Sequence, residues 1–397
     1  MVRALESKTE LKVKSIESEA ELTIFESISM IVGHSIGTGI IAVPYLATKN
    51  SLKDVLWILA LGYIINVILH LLIAELSYNN GGVQLVKSFE GELFKGKFQK
   101  VFSWGMFIVY GIAIMLGVSG NINGGAQIIQ NWFAIPFYMA QIIYYLLAGI
   151  VVFMGMKAVG VAQKYTVILL MVIVSCLTIG TFMNPMNSLV AAPFHPNNLL
   201  ALYSMVVFAT SANQAVIQSV KGLKGDPKKI RFSILVGFAI STCFVLIVTS
   251  TVLLGSKGVL DKEMAYLQLG KSIAPWAALF AGVFSLLALL STFWSNTLSL
   301  RDVVHEQVGL NNKVCWILAT LPCILFSLFG VSSFIILTRL MSGVVVLVGI
   351  MLIFTYNRSR KNAGVSPICG KLGTIPFQIL MVVSTAICAI GALLPLT

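Results

Sequence analysis

Charge is scarce in this chain. Asp, Glu, Lys and Arg supply 11% of its 397 residues while hydrophobic residues reach 57%; a soluble globular domain carries about a quarter charged residues. A soluble single-core protein is thereby excluded. Apolar runs of roughly 18 residues or more recur along nearly the whole chain, each able to cross a hydrocarbon core about 30 Å thick. The six cysteines (Cys176, Cys243, Cys315, Cys323, Cys369 and Cys388) form no CxxC pair, which excludes a zinc pattern or a disulfide framework. Five of them fall in apolar runs, where cysteine acts as a small hydrophobe. There is no HExxH, no nucleophile elbow and no Walker loop, so nothing argues for an enzyme or for a bound metal or other cofactor. A channel would want rings of charge or a filter from repeated subunits, and neither is present. Residues 1–23 alternate Glu and Lys without an apolar core; they read as a cytoplasmic N-terminal segment and not as a cleaved signal. Without a low-complexity linker, residues 24–397 read as one transmembrane domain, and nothing specifies an oligomeric state.

What charge there is has a pattern. The formal net charge of +12 is not a nucleic-acid footprint, because the basic residues sit in short segments between apolar runs. Eleven spans are expected at about 24–48, 53–77, 100–131, 134–155, 158–183, 198–221, 230–255, 273–300, 313–330, 332–356 and 373–396. With the N-terminus inside, 21 of the 27 Lys and Arg fall on the cytoplasmic side; the bias predicts N-in, C-out. Trp57, Trp104, Trp132, Trp276 and Trp316 fall near predicted span ends, as interfacial rings do, and Trp294 does not. Segments 82–95 and 258–272 are too short and polar to span and are expected along the two membrane surfaces.

The first span contains Gly33–Pro44, GHSIGTGIIAVP. Glycine lets the chain leave helical geometry, and freed backbone groups in a span are tolerable only against protein, water or ligand. Two half-helices meeting near the midplane would offer amides to a carboxylate and carbonyls to an ammonium group or cation. Glycines at this spacing serve a helix-packing face equally well.

Three stretches resemble a known family. VGHSIGTGIIAVPYLATK, with its Gly37-Thr38-Gly39 core and Pro44-Tyr45 end, is similar to the first span of the amino acid/auxin permease group, in particular the bacterial hydroxy and aromatic amino acid permeases. VKGLKGDPKKIRFSILVG resembles the loop after span six there, and FSLLALLSTFWSNTLSLRDVV more weakly resembles span eight. The group belongs to the amino acid–polyamine–organocation superfamily. The resemblance implies an all-helical leucine-transporter-like fold with a five-plus-five inverted repeat. The repeats would cover about 24–183 and 198–356, with an extra helix at about 373–396. In that fold span six breaks like span one, yet YSMVVFATSANQAVIQSV holds neither Gly nor Pro. Its polar stretch Thr210–Gln214 would have to replace the lost backbone bonds, or else forms a polar packing face.

By resemblance the protein is a secondary active amino acid permease of the cytoplasmic membrane, proton- or sodium-coupled. A sensor on the same fold, like the germination-receptor subunits, is the alternative. The substrate carboxylate would meet Gly37, Thr38 and Gly39, and its ammonium would meet carbonyls near Ile36 and from Phe208 to Ser211, with Asn213 beside them. In span three, Met115, Ser119 and Asn123 share one helix face; Ser119 and Asn123 are candidates for the pocket wall, although an amide in hydrocarbon needs a partner in any case. For the coupling ion, Ser291, Thr292 and Ser295 of span eight supply hydroxyls, which also bond readily to their own i−4 carbonyls. Gly33 stands where sodium-coupled relatives often carry asparagine, and Leu170 where proton-coupled ones carry lysine; Lys164 lies too far inward. His34 beside the break is a proton-carrier candidate. Arg339, about seven residues into span ten, is a candidate outer gate or a snorkelling side chain. Glu26 and Glu75 read as end anchors.

Overall fold

The computed structural model describes residues 21–93, 96–183, 194–255, 265–330, 334–363 and 366–395, without the side chains of 38, 41, 267 and 334–347. Fifteen α-helices and one 3-10 turn make up the described residues. Seven helical segments of 19 to 35 residues are long and apolar enough to cross a bilayer, and helices stand at each of the eleven expected positions.

The order shows an internal repeat. The first set is a broken span, α1 (Ile24–Ser35) and α2 (Thr38–Ala47), then α3 (Leu52–Asn79), a short α4 (Leu85–Glu92), α5 (Gln99–Phe133), α6 (Phe137–Phe153) and α7 (Met156–Met183). The second is again broken, α8 (Pro196–Ala209) and α9 (Asn213–Gly222), then α10 (Pro227–Gly255), a short α11 (Ala265–Ile273), α12 (Pro275–Val308), α13 (Asn312–Leu328) and α14 (Phe334–Ala363). Unbroken lengths run 28, 35, 17 and 28 residues in the first set and 29, 34, 17 and 30 in the second. The second set repeats the first in order: broken, long, short, long, 17-residue, long. α15 (Ile375–Leu393) follows.

Local sequence sets the helix starts. Thr23 and Glu26 form a capping box on α1, as Ser51 and Asp54 do on α3. Pro227 opens α10, and the Asp226 carboxylate accepts from the amides of Lys228 and Lys229 at 3.0 and 3.2 Å. The Lys229 amide foremost, then its ammonium and the Lys228 amide, hold that carboxyl below its ordinary value despite slight burial. This explains the Gly-Asp-Pro-Lys-Lys loop as a helix start.

Apolar side chains face outward where lipid would be, as with Ile142, Leu146, Leu147 and Ile150 on α6, while Asn66, His70 and Gln163 are buried inside. That inversion suits a hydrocarbon solvent. Trp57, Trp104, Trp132 and Trp276 are exposed, whereas Trp294 donates to the Ala148 carbonyl at 3.0 Å.

Polar anchors gather on the face where α1 begins, hereafter the first face. Glu26 pairs with Lys157 at 2.7 Å. Lys221 at the end of α9 reaches Asp302 and Glu306 on α12 at 3.3 and 3.1 Å, and Glu306 also accepts from the Gln84 amide at 2.8 Å. Glu75 accepts from the amides of Ile368 and Cys369 at 3.0 and 2.7 Å, which ties α3 to the segment before α15. Hydrogen bonds to a charged group contribute about 1.5–3 kcal/mol each. Glu75→Ala is therefore expected to destabilise the protein by on the order of 3 kcal/mol, read as a lower thermal unfolding midpoint in detergent, with Glu75→Gln milder.

Candidate functional site

The first break falls where the glycines predict it. α1 ends at Ser35, Ile36 closes it with its amide on the Val32 carbonyl at 2.8 Å, and α2 restarts at Thr38. Gly37, at φ −58° and ψ −134°, gives α2 no side-chain cap. The amides of Gly39 and Ile40 in its first turn find no acceptor among the described residues, and neither do the carbonyls of Ser35 and Ile36 find a donor. The Thr38 side chain lies outside the described residues.

The glycines also permit close packing, so both readings of their spacing hold. A methyl on Gly39 would overlap Cα of Ala209 and lie 2.9 Å from its nitrogen. One on Gly37 would overlap the Thr292 hydroxyl and lie 2.8 Å from its Cβ. Side chains there would push into α8 and α12 before they reached any open space.

The second break spans Thr210–Ala212 without a glycine or proline. Thr210 keeps its amide on the Val206 carbonyl at 3.0 Å and Ser211 turns back to Phe208 at 3.1 Å. Two groups of α3 complete the rearrangement. Asn66 donates to the Val207 carbonyl at 3.0 Å and to the Thr210 hydroxyl at 2.8 Å; Nε2 of His70 accepts from the Ala212 amide at 2.9 Å. The amides of Asn213, Gln214 and Ala215 and the carbonyls of Ala209, Thr210 and Ser211 remain unpaired among the described residues.

The contact of Gly39 with Ala209 brings the amide-bearing start of α2 against the carbonyl-bearing end of α8. Positive and negative helix ends thus lie side by side midway along the bundle. His34, Phe208, Ser211 and Asn213 keep part of their surface accessible there. The Nδ1 atom of His34 and the Oδ1 atom of Asn213 are buried without a hydrogen-bond partner. The structure therefore gathers His34, Ile36, Gly37, Gly39, Phe208, Ser211 and Asn213 at one place.

The other expected residues go elsewhere. Ser119 donates to the Cys323 carbonyl at 2.8 Å. Oδ1 of Asn123 accepts from Gln141 at 2.9 Å and from Ser327 at 2.5 Å. These bonds face α6 and α13; periodicity names a face and leaves open which helix it meets. Ser291 and Ser295 meet Gln163 of α7, whose Nε2 donates to the Ser291 carbonyl at 2.7 Å and to the Ser295 hydroxyl at 3.4 Å while its Oε1 accepts from the Ser291 hydroxyl. Thr292 donates to the carbonyls of His34 at 3.3 Å and Ala288 at 3.2 Å. The Arg339 side chain, the expected gate, lies outside the described residues.

Asn66, His70 and Gln163 escape a reading based on glycine spacing. A signal existed for two of them: Asn66 and His70 are four apart in an otherwise apolar run, and polar groups within a span are functional candidates.

No family model and no curated protein matches this sequence. Among solved structures the chain is similar to Mhp1, a nucleobase-cation-symport-1 family transporter in a closed conformation with bromovinylhydantoin bound. The TM-score is 0.66 at 15% identity, over 96% of this chain and 95% of that one. The fold is thus the leucine-transporter-like one.

Because a side chain on Gly37 would overlap Thr292, Gly37→Ala is expected to destabilise the protein by about 1–3 kcal/mol, and adding Thr292→Gly to restore part of the loss, as read from thermal unfolding midpoints in detergent.

Proposed function

We propose that the protein is a secondary active transporter that carries an amino acid across the cell membrane by alternating access. One observation carries the reading: unpaired amides of α2 stand against unpaired carbonyls of α8, midway through the bundle. A zwitterion answers both, its carboxylate to the amides of Gly39 and Ile40 and its ammonium to carbonyls of Ile36, Ala209 and Thr210. Phe208, Ser211 and Asn213 would meet the substrate side chain. A zwitterion uses both opposed helix ends, because each carries partial charge. With the N-terminus inside, 21 of the 27 Lys and Arg would fall on the cytoplasmic side, which supports an N-in orientation.

The coupling ion in this reading is the proton. Among the span-eight hydroxyls, Ser291 and Ser295 are turned to Gln163 of α7, and Thr292 donates to the His34 and Ala288 carbonyls. His34 stands beside the break with Nδ1 unpartnered, placed to take a proton from an opening site.

Counterflow in proteoliposomes tests both parts. Labelled amino acid is expected to exchange into vesicles preloaded with the same amino acid, and hydantoin or a free nucleobase is expected to drive none. Binding without counterflow would instead favour the sensor. Replacing sodium with choline is expected to leave uptake unchanged, and collapsing an imposed pH gradient to abolish accumulation.

A further inference from the structure

The polar groups of α3 meet the second break group for group. An uninterrupted helix would join the Ser211 amide to the Val207 carbonyl and the Ala212 amide to the Phe208 carbonyl. Ser211 instead bonds Phe208. That swap strands one acceptor, at Val207, and one donor, at Ala212. Asn66 donates to the first at 3.0 Å and His70 accepts from the second at 2.9 Å. The two side chains are one helical turn apart on α3, and both are fully buried. They match the stranded pair in kind, order and spacing.

The match fixes the chemistry of His70. A backbone amide only donates, so Nε2 of His70 must be bare. Its proton therefore sits on Nδ1, which lies 2.6 Å from the Asn66 carbonyl and donates to it. The Phe238 ring packs against the imidazole at 4.4 Å between centroids, tilted by 46°, and holds its plane. The residues of α8 and α9 contain nothing that forbids a helix; Thr210 and Ser211 only form one less readily than Ala or Leu.

We infer that Asn66 and His70 are positioning residues that hold span six broken from outside it, with His70 acting as the neutral Nδ1–H tautomer. They touch no substrate in this arrangement. Their effect is to keep the carbonyls of Ala209, Thr210 and Ser211 unpaired beside α2. For its bearing on transport the inference rests on the amino acid reading above; the arrangement of α3 on span six does not.

The experiment separates the two. With four histidines in the chain, nitrogen-15 histidine spectra of the full protein in liposomes, compared with His70→Gln, assign the His70 signal. A neutral ring with Nδ1 protonated is expected; an Nε2–H tautomer or an imidazolium overturns the inference. Hydrogen exchange over residues 206–216 without substrate gives the second readout. In His70→Leu the Ala212 amide loses its acceptor and is expected to change its exchange rate at least tenfold. The direction is faster if it stays unpaired and slower if the span heals into one rod. His70→Gln, which keeps an acceptor near the Nε2 position, is expected to restore the rate, and Asn66→Leu to disturb the same peptide. Unchanged exchange in His70→Leu, at an unaltered unfolding midpoint, overturns the inference. If exchange behaves as expected while the wild type binds no amino acid, the positioning role stands and the substrate reading fails. If amino acid binding is found, His70→Leu is expected to weaken it at least tenfold with His70→Gln close to wild type.

Discussion

A peptide group stranded in hydrocarbon costs several kcal/mol, and the two broken spans strand several of them at once. Much of the architecture answers that constraint. The broken spans lie inside the bundle, with α1 against α7, α10 and α12, and α2 against α8 and α10. Three interior polar side chains meet the interruptions directly: Asn66 and His70 from α3, Thr292 from α12. What stays unpaired after them, the amides of α2 and α9 and the carbonyls of α1 and α8, is what a ligand can use.

The inverted repeat makes the two breaks equivalent in place and leaves them unlike in cause. Helix lengths match between the sets almost residue for residue, down to the 17-residue α6 and α13. Yet span one comes apart through its own residues, since Gly37 lacks a cap and tolerates the turn. Span six comes apart through a neighbour that precedes it by about 140 positions in sequence. One half of the site is thus built locally and the other by tertiary contact.

That difference decides what a reader of the sequence can see. Membrane insertion, the positions of the spans and the first interruption follow from hydropathy and from Gly37 and Gly39, which act on their own stretch of chain. The second interruption was legible as a demand, because the polar run at Thr210–Gln214 needed something to replace lost bonds, but its partners on α3 are remote. For Ser119 and Asn123 the 3.6-residue period located a common face correctly, and the neighbours that face meets, α6 and α13, depend on the packing of the whole bundle. In span five Gln163 hydrogen-bonds α12; Lys164 beside it lies over the Tyr165 ring at 5.4 Å. One residue of rotation about a helix axis, about 100°, separates a buried amide from a half-buried cation.

The matched short helices carry a consequence for the lipid. At 17 residues, α6 and α13 are each about 26 Å long, less than a typical hydrocarbon core of about 30 Å. They touch one another, through Tyr145 with Thr320 and through Gln141 with Ser327, so the shortfall is concentrated on one flank. Acyl chains along that flank must shorten or splay to cover it. A bilayer is expected to thin along that flank, where one helix of each set stands, so both sets would feel a change of membrane thickness at the same place.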